Sequence, residues 1–60
     1  MDPNVTLDEM REAFKDMRRA LGAGADMAAF HDAADVAAMC AQDLDAWLTR
    51  GGHLPDDWKH

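Results

Sequence analysis

Only one cysteine, Cys40, stands among the 60 residues, so no disulfide can form within the chain. A lone thiol fits a reducing compartment. No run of about 18 apolar residues occurs, which argues against a membrane-spanning helix. The opening residues, MDPNVTLDE, are acidic and polar, the wrong charge and pattern for a secretory signal. A cytoplasmic location is the resulting expectation. Positive charge is scarce as well. Six Lys and Arg stand against twelve Asp and Glu, for a net charge of -6. Phosphate backbones and anionic lipid repel such a chain, so direct contact with nucleic acid or membrane is not expected. Serine, isoleucine and tyrosine are missing while alanine and aspartate abound. That bias is common in GC-rich genomes and says nothing of function.

A chain this short makes one domain, residues 1–60, and domains of this size are marginal without disulfides, metals or oligomerisation. What the sequence does hold is helical periodicity. Thr6 and Glu9 have the spacing of a capping box, and Val5 and Met10 that of a hydrophobic staple. They predict a first helix over about 7–21. Its apolar stripe is Leu7, Met10, Phe14, Met17 and Leu21, alternating steps of three and four. Acidic Asp8 and Glu9 fall in its first turn and basic Arg18 and Arg19 in its last, as the helix dipole favours. Gly22 and Gly24 end it.

After a loop over 22–26, Asp26 is the N-cap expected for a second helix over about 27–50, stopped by Gly51 and Gly52. Met27, Phe30, Ala34, Ala37, Ala41, Leu44 and Leu48 form its stripe, widened on one flank by Ala33, Val36, Cys40 and Trp47. A short loop between two amphipathic helices predicts an antiparallel hairpin, with the large Phe14 and Met17 seated against small residues of the longer helix. Beyond Gly52, Pro55 prevents simple continuation of the helix. Leu54 and Trp58 are the expected anchors of a tail hooked back near Trp47 and Leu48, covering the end of the longer helix.

The stretch DLDAWLTRGGHLPDDW, residues 43–58, carries Trp47, Leu48, Gly51, Gly52, Leu54, Pro55 and Trp58. It resembles the C-terminal signature of short uncharacterised proteins of actinobacteria and their bacteriophages. The resemblance implies a bacterial or phage origin and a shared tail fold, and it carries no activity.

Charged clusters offer sharper readings. His31, Asp32 and Asp35 share neighbouring surface of the second helix, but a catalytic metal needs at least three convergent ligands and an enclosed cavity. A solvated face is the expectation, with no metal, cofactor or catalytic residue. His53 and His60 are read as exposed tail residues. Cys40 has no basic neighbour in sequence to activate it and is read as a small buried hydrophobe. Most of the methionines lie on the stripes, whereas Met39 falls among Asp32, Asp35 and Asp43 as an exposed apolar residue. Asp32, Asp35, Asp43 and Asp45 suggest an acidic nucleic-acid mimic as the alternative function. Arg18 and Arg19 make too small a basic patch to hold nucleic acid.

The second helix carries more apolar surface than one short helix and a tail can mask. At about 1.5–3 kcal/mol per side chain buried, two or three uncovered residues favour association. The expectation is therefore an all-α hairpin that pairs into a four-helix bundle and works as a non-enzymatic protein interaction module, on itself and on a host protein. Phe14, Met17, Phe30, Val36, Leu44, Trp47 and Leu48 are its core and self-association residues.

Overall fold

A computed structural model describes residues 1–22 and 24–59. The chain forms helix α1, Pro3–Ala20, and helix α2, Met27–Thr49, followed by a short 3₁₀ turn, Asp56–Trp58. The two long helices pack side by side as an antiparallel hairpin, with no strand among the described residues. The result is a rod of 42 × 20 × 13 Å.

α1 begins earlier than its capping-box spacing implies. Asp2 is the N-cap; its carboxylate accepts from the backbone N–H of Asn4 at 2.9 Å, and Pro3 occupies the first helical position. Proline suits that place because the missing N–H would have had no partner there. Thr6 lies inside the helix, nearly buried, with its hydroxyl donating to the Asp2 carbonyl at 3.2 Å. The Thr6–Glu9 box and the Val5–Met10 staple therefore do not start the helix, and Val5 is exposed. The earlier start also moves Asp8 and Glu9 out of the first turn. Asp2→Ala should cost about 1 kcal/mol, read as a lower midpoint in urea denaturation. An unchanged midpoint would show that the cap contributes nothing.

α2 follows the sequence expectation closely. Asp26 caps it by accepting from the Ala29 N–H at 3.1 Å, and the Asp26 N–H itself reaches back to the Ala20 carbonyl at 2.8 Å, closing the loop. At the far end, the N–H groups of Gly51 and Gly52 donate to the carbonyls of Leu48 and Trp47 at 3.0 and 2.9 Å. These are the paired bonds of a Schellman stop, with Gly51 in the left-handed region at φ 87°. A Cβ at Gly52 would overlap the Trp47 indole, so the chain can turn there only without a side chain.

The helix interface is shifted from the one read off the large residues. Leu7, Met10, Ala13 and Ala20 of α1 are buried, together with Ala33, Ala37, Cys40 and Leu44 of α2. Phe14 is 45% exposed and Leu21 also lies outside. Ala13 takes the interior position that the stripe assigned to Phe14, and Ala20 the one assigned to Leu21. Residues 13 and 14 both continue a three-four alternation from Met10. Alanine facing an alanine-rich helix permits a close approach that a phenyl ring would block. In α2 the buried row is Ala33, Ala37, Cys40 and Leu44, while Ala41 is exposed and Ala34 half-buried. The buried row thus runs between the stripe, which supplies Ala37 and Leu44, and its flank, which supplies Ala33 and Cys40.

The tail folds back with Trp58 as one anchor, and with Pro55 in place of Leu54 as the other. Pro55 is fully buried, as is Pro3, while Leu54 is 42% exposed. Trp58 is half-buried against the cluster of Leu7, Met10, Cys40 and Leu44. Polar contacts fix the turn on α1. The Asp56 N–H donates to Asn4 Oδ1 at 2.7 Å, and Arg11 pairs with Asp57. The Trp47 indole N–H donates to the His53 carbonyl at 2.9 Å, tying the chain reversal to the end of α2.

Candidate functional site

An α-helix turns about 100° per residue, so residues nine apart lie on opposite sides. Val5 and Phe14 of α1 are such a pair, as are Met27 and Val36 of α2. The hairpin accordingly has two lateral faces, and each carries exposed apolar side chains.

On one face lie Phe14 and Leu21 from α1 and Met27 from α2, all exposed, beside half-buried Met17, Phe30 and Ala34. These residues flank the loop-side half of the hairpin. The tail occupies the same side at the opposite end, where Asp56 meets Asn4 and Asp57 meets Arg11. Trp58 covers Leu7, Met10 and Leu44 but leaves the Phe14–Phe30 half open. Arg18, four residues beyond Phe14, borders this patch.

On the other face an open groove of about 390 Å³ runs between the helices. Ala13 and Ala33 form its floor, Val5 and Val36 its apolar walls, and Asp8, Glu9, Glu12 and Asp16 its rim. A second depression with Asp26, Ala29 and Asp32 continues it toward the loop. The small floor residues that allow close packing of the helices also make the groove. Two rim carboxylates have surface partners on the same helix, Glu12 with Lys15 at 3.2 Å and Asp16 with Arg19 at 3.4 Å. Such exposed pairs are worth little. Among the described residues, no basic group lies in salt-bridge reach of Asp8, Glu9 or Asp32.

The residues singled out from sequence divide between these surfaces and the core. Leu44 is buried, and Met17, Phe30, Trp47 and Leu48 are half-buried. Phe14 and Val36 are exposed on opposite faces, so they belong to surfaces rather than to the core. Val5, Ala13 and Ala33 were missed as groove residues. The signal for Val5 was available: it sits nine residues before Phe14, on the acidic flank of α1 with Asp8, Glu9, Glu12 and Asp16.

No family model, curated protein or solved structure matches this chain. Chemistry must therefore be read from the side chains themselves. Among the described residues no cluster of three His, Cys, Asp or Glu side chains could hold a metal ion. His31 edges onto Phe30 with ring centroids 6.2 Å apart. His60 lies outside the described residues. Cys40 is buried, as its sequence setting implied; burial pushes the thiol pKa up, and the nearby charges of Glu9 and Asp43 push it further. Its Sγ donates to Glu9 Oε2 at 3.9 Å. A protonated buried thiol is a poor nucleophile.

The aspartates of α2 do not form one face. At about 100° and 1.5 Å per residue, Asp32 and Asp43 point in nearly the same direction but stand about 16 Å apart along the axis, and Asp45 points about 140° from Asp32. A phosphate-mimicking strip would need these charges in line.

Proposed function

We propose that this chain is a helical protein-interaction module that pairs with a second copy of itself through the Phe14–Phe30 face, forming a four-helix bundle. The observation that carries the reading is the half-covered side of the hairpin. The tail caps one end, while Phe14, Leu21 and Met27 remain exposed beside Phe30 at the other. A 60-residue chain has little core with which to offset such exposure. These side chains are already about half covered, so burying the rest against their equivalents would return about half of the roughly 1.5–3 kcal/mol that full burial is worth, before the cost of association.

Sedimentation velocity at micromolar concentration tests this directly. The wild-type chain should run as a dimer, with a melting temperature that rises with concentration. Phe14→Asp should give a monomer that keeps its helical circular dichroism, because position 14 is outside the core. A wild-type monomer whose melt ignores concentration would end the self-pairing reading. The acidic-mimic alternative predicts a different behaviour, namely binding to a nucleic-acid-binding protein that collapses with salt.

A further inference from the structure

We propose that the acidic-rimmed groove between α1 and α2 receives a basic amphipathic helix of another protein. This deepens the interaction-module reading by naming the chemistry of a partner, and it uses the face opposite the one assigned to self-pairing. Shape and charge both point to this occupant. The floor is alanine, so a ridge of larger side chains can descend between Val5 and Val36. From Val5 to Asp16 the groove follows α1 for about 17 Å at 1.5 Å per residue, enough for three turns of a docked helix. Asp8, Glu9, Glu12 and Asp16 line it, and Asp32 stands in its continuation. Lys or Arg flanking an apolar ridge would meet these carboxylates, four along the α1 edge and Asp32 on α2, the groove mode of helix recognition with a complementary rim.

A second copy is a poor occupant here. Symmetric pairing through this face would bring both sets of rim carboxylates together, and like charges facing one another oppose association. The basic side chains on the groove side, Lys15 and Arg19, already pair with Glu12 and Asp16 of the same chain, and Arg11 on the Phe14 side pairs with Asp57.

The probe is a fluorescein-labelled helical peptide of about 18 residues, long enough to exceed the groove, with leucines at three-four spacing and lysines elsewhere. One control replaces its leucines with alanine at the same charge, and another replaces its lysines with glutamate. Fluorescence anisotropy against the full chain should show the Leu/Lys peptide binding at least about tenfold more tightly than either control. Val36→Asp should weaken that binding at least about tenfold. Val5→Asp, on the other helix, should do the same and serves if position 36 disturbs folding. Neutralising the rim with Asp8→Asn, Glu12→Gln and Asp16→Asn should weaken binding and flatten its dependence on salt. Phe14→Asp should leave peptide affinity within about twofold, whether or not it changes the oligomeric state, so the two readings fail separately. Equal binding of the Ala/Lys control would reduce the effect to bulk charge attraction and overturn the proposal. So would indifference to both valine changes, or loss of self-association in Val5→Asp and Val36→Asp but not in Phe14→Asp, which would make the groove a contact between copies.

Discussion

Leu44→Asp should leave the chain unfolded at room temperature, with the helical circular dichroism signal largely lost. Leu44 is 3% exposed and shares a cluster with Leu7, Met10, Cys40 and Trp58. Removing a buried leucine side chain costs roughly 2–5 kcal/mol through lost contacts and the cavity left behind. The aspartate adds the penalty of an unpaired carboxylate in an apolar site. At Cys40 of the same cluster, Glu9 and Asp43 already disfavour a negative group. At roughly 0.05–0.15 kcal/mol per residue, a chain of this length holds only about 3–9 kcal/mol in total. The substitution is therefore expected to exhaust it. Asp45→Asn, one residue on and exposed, should leave the melt unchanged. A folded Leu44→Asp variant would mean that the helices are not joined through this cluster.

Ending the chain at Gly52 should have the next largest effect. The truncation removes Trp58 from the Leu7–Leu44 cluster and buried Pro55 from the structure. It also removes the His53 carbonyl that accepts from the Trp47 indole. Trp58→Ala alone should cost about 2–3 kcal/mol, below the range for a fully buried tryptophan because one side is open. For a domain of this size that lowers the melting temperature by roughly 10 °C or more. Truncation should lower it further, to the point where no cooperative transition is seen. A truncated chain that melts like the full one would show the tail to be a passive appendage.

The two-helix architecture was legible because its signals do not compete. Asp26 before Met27, and Gly51 with Gly52 after Arg50, bracket α2 with a cap and a stop. The start of α1 was harder, because two N-terminal signals lie four residues apart. Thr6 with Glu9 has the spacing of a capping box, but Asp2 followed by Pro3 supplies both a capping carboxylate and a residue that needs no donor. The earlier signal prevails and carries Pro3 into burial against the rest of the fold. The rotation of the helices was not legible at all from hydrophobicity. Ala13 and Phe14 satisfy the same spacing, and ranking by size selects the wrong one. What decides between them is how near the two axes come, and that depends on Ala33 and Ala37 in the other helix. The tail shows the same limit, with Pro55 buried where Leu54 was the expected anchor. A pair of acid-flanked valines, one on each helix, signals a groove only once the helices are known to lie side by side.

The lateral separation of the two faces has a consequence for valency. Val5 and Phe14 point about half a turn apart, as do Val36 and Met27. A dimer closed through Phe14 and Phe30 would therefore turn both grooves outward, one on each flank, with neither obstructed by the joint. Such a particle is bivalent although each chain is too small to hold two partners side by side. A target displaying two copies of the same basic helix would be held far more tightly than one copy, because the second engagement occurs at the high effective concentration set by the first. Dissociating the dimer would then halve the number of grooves per particle while lowering avidity far more than twofold.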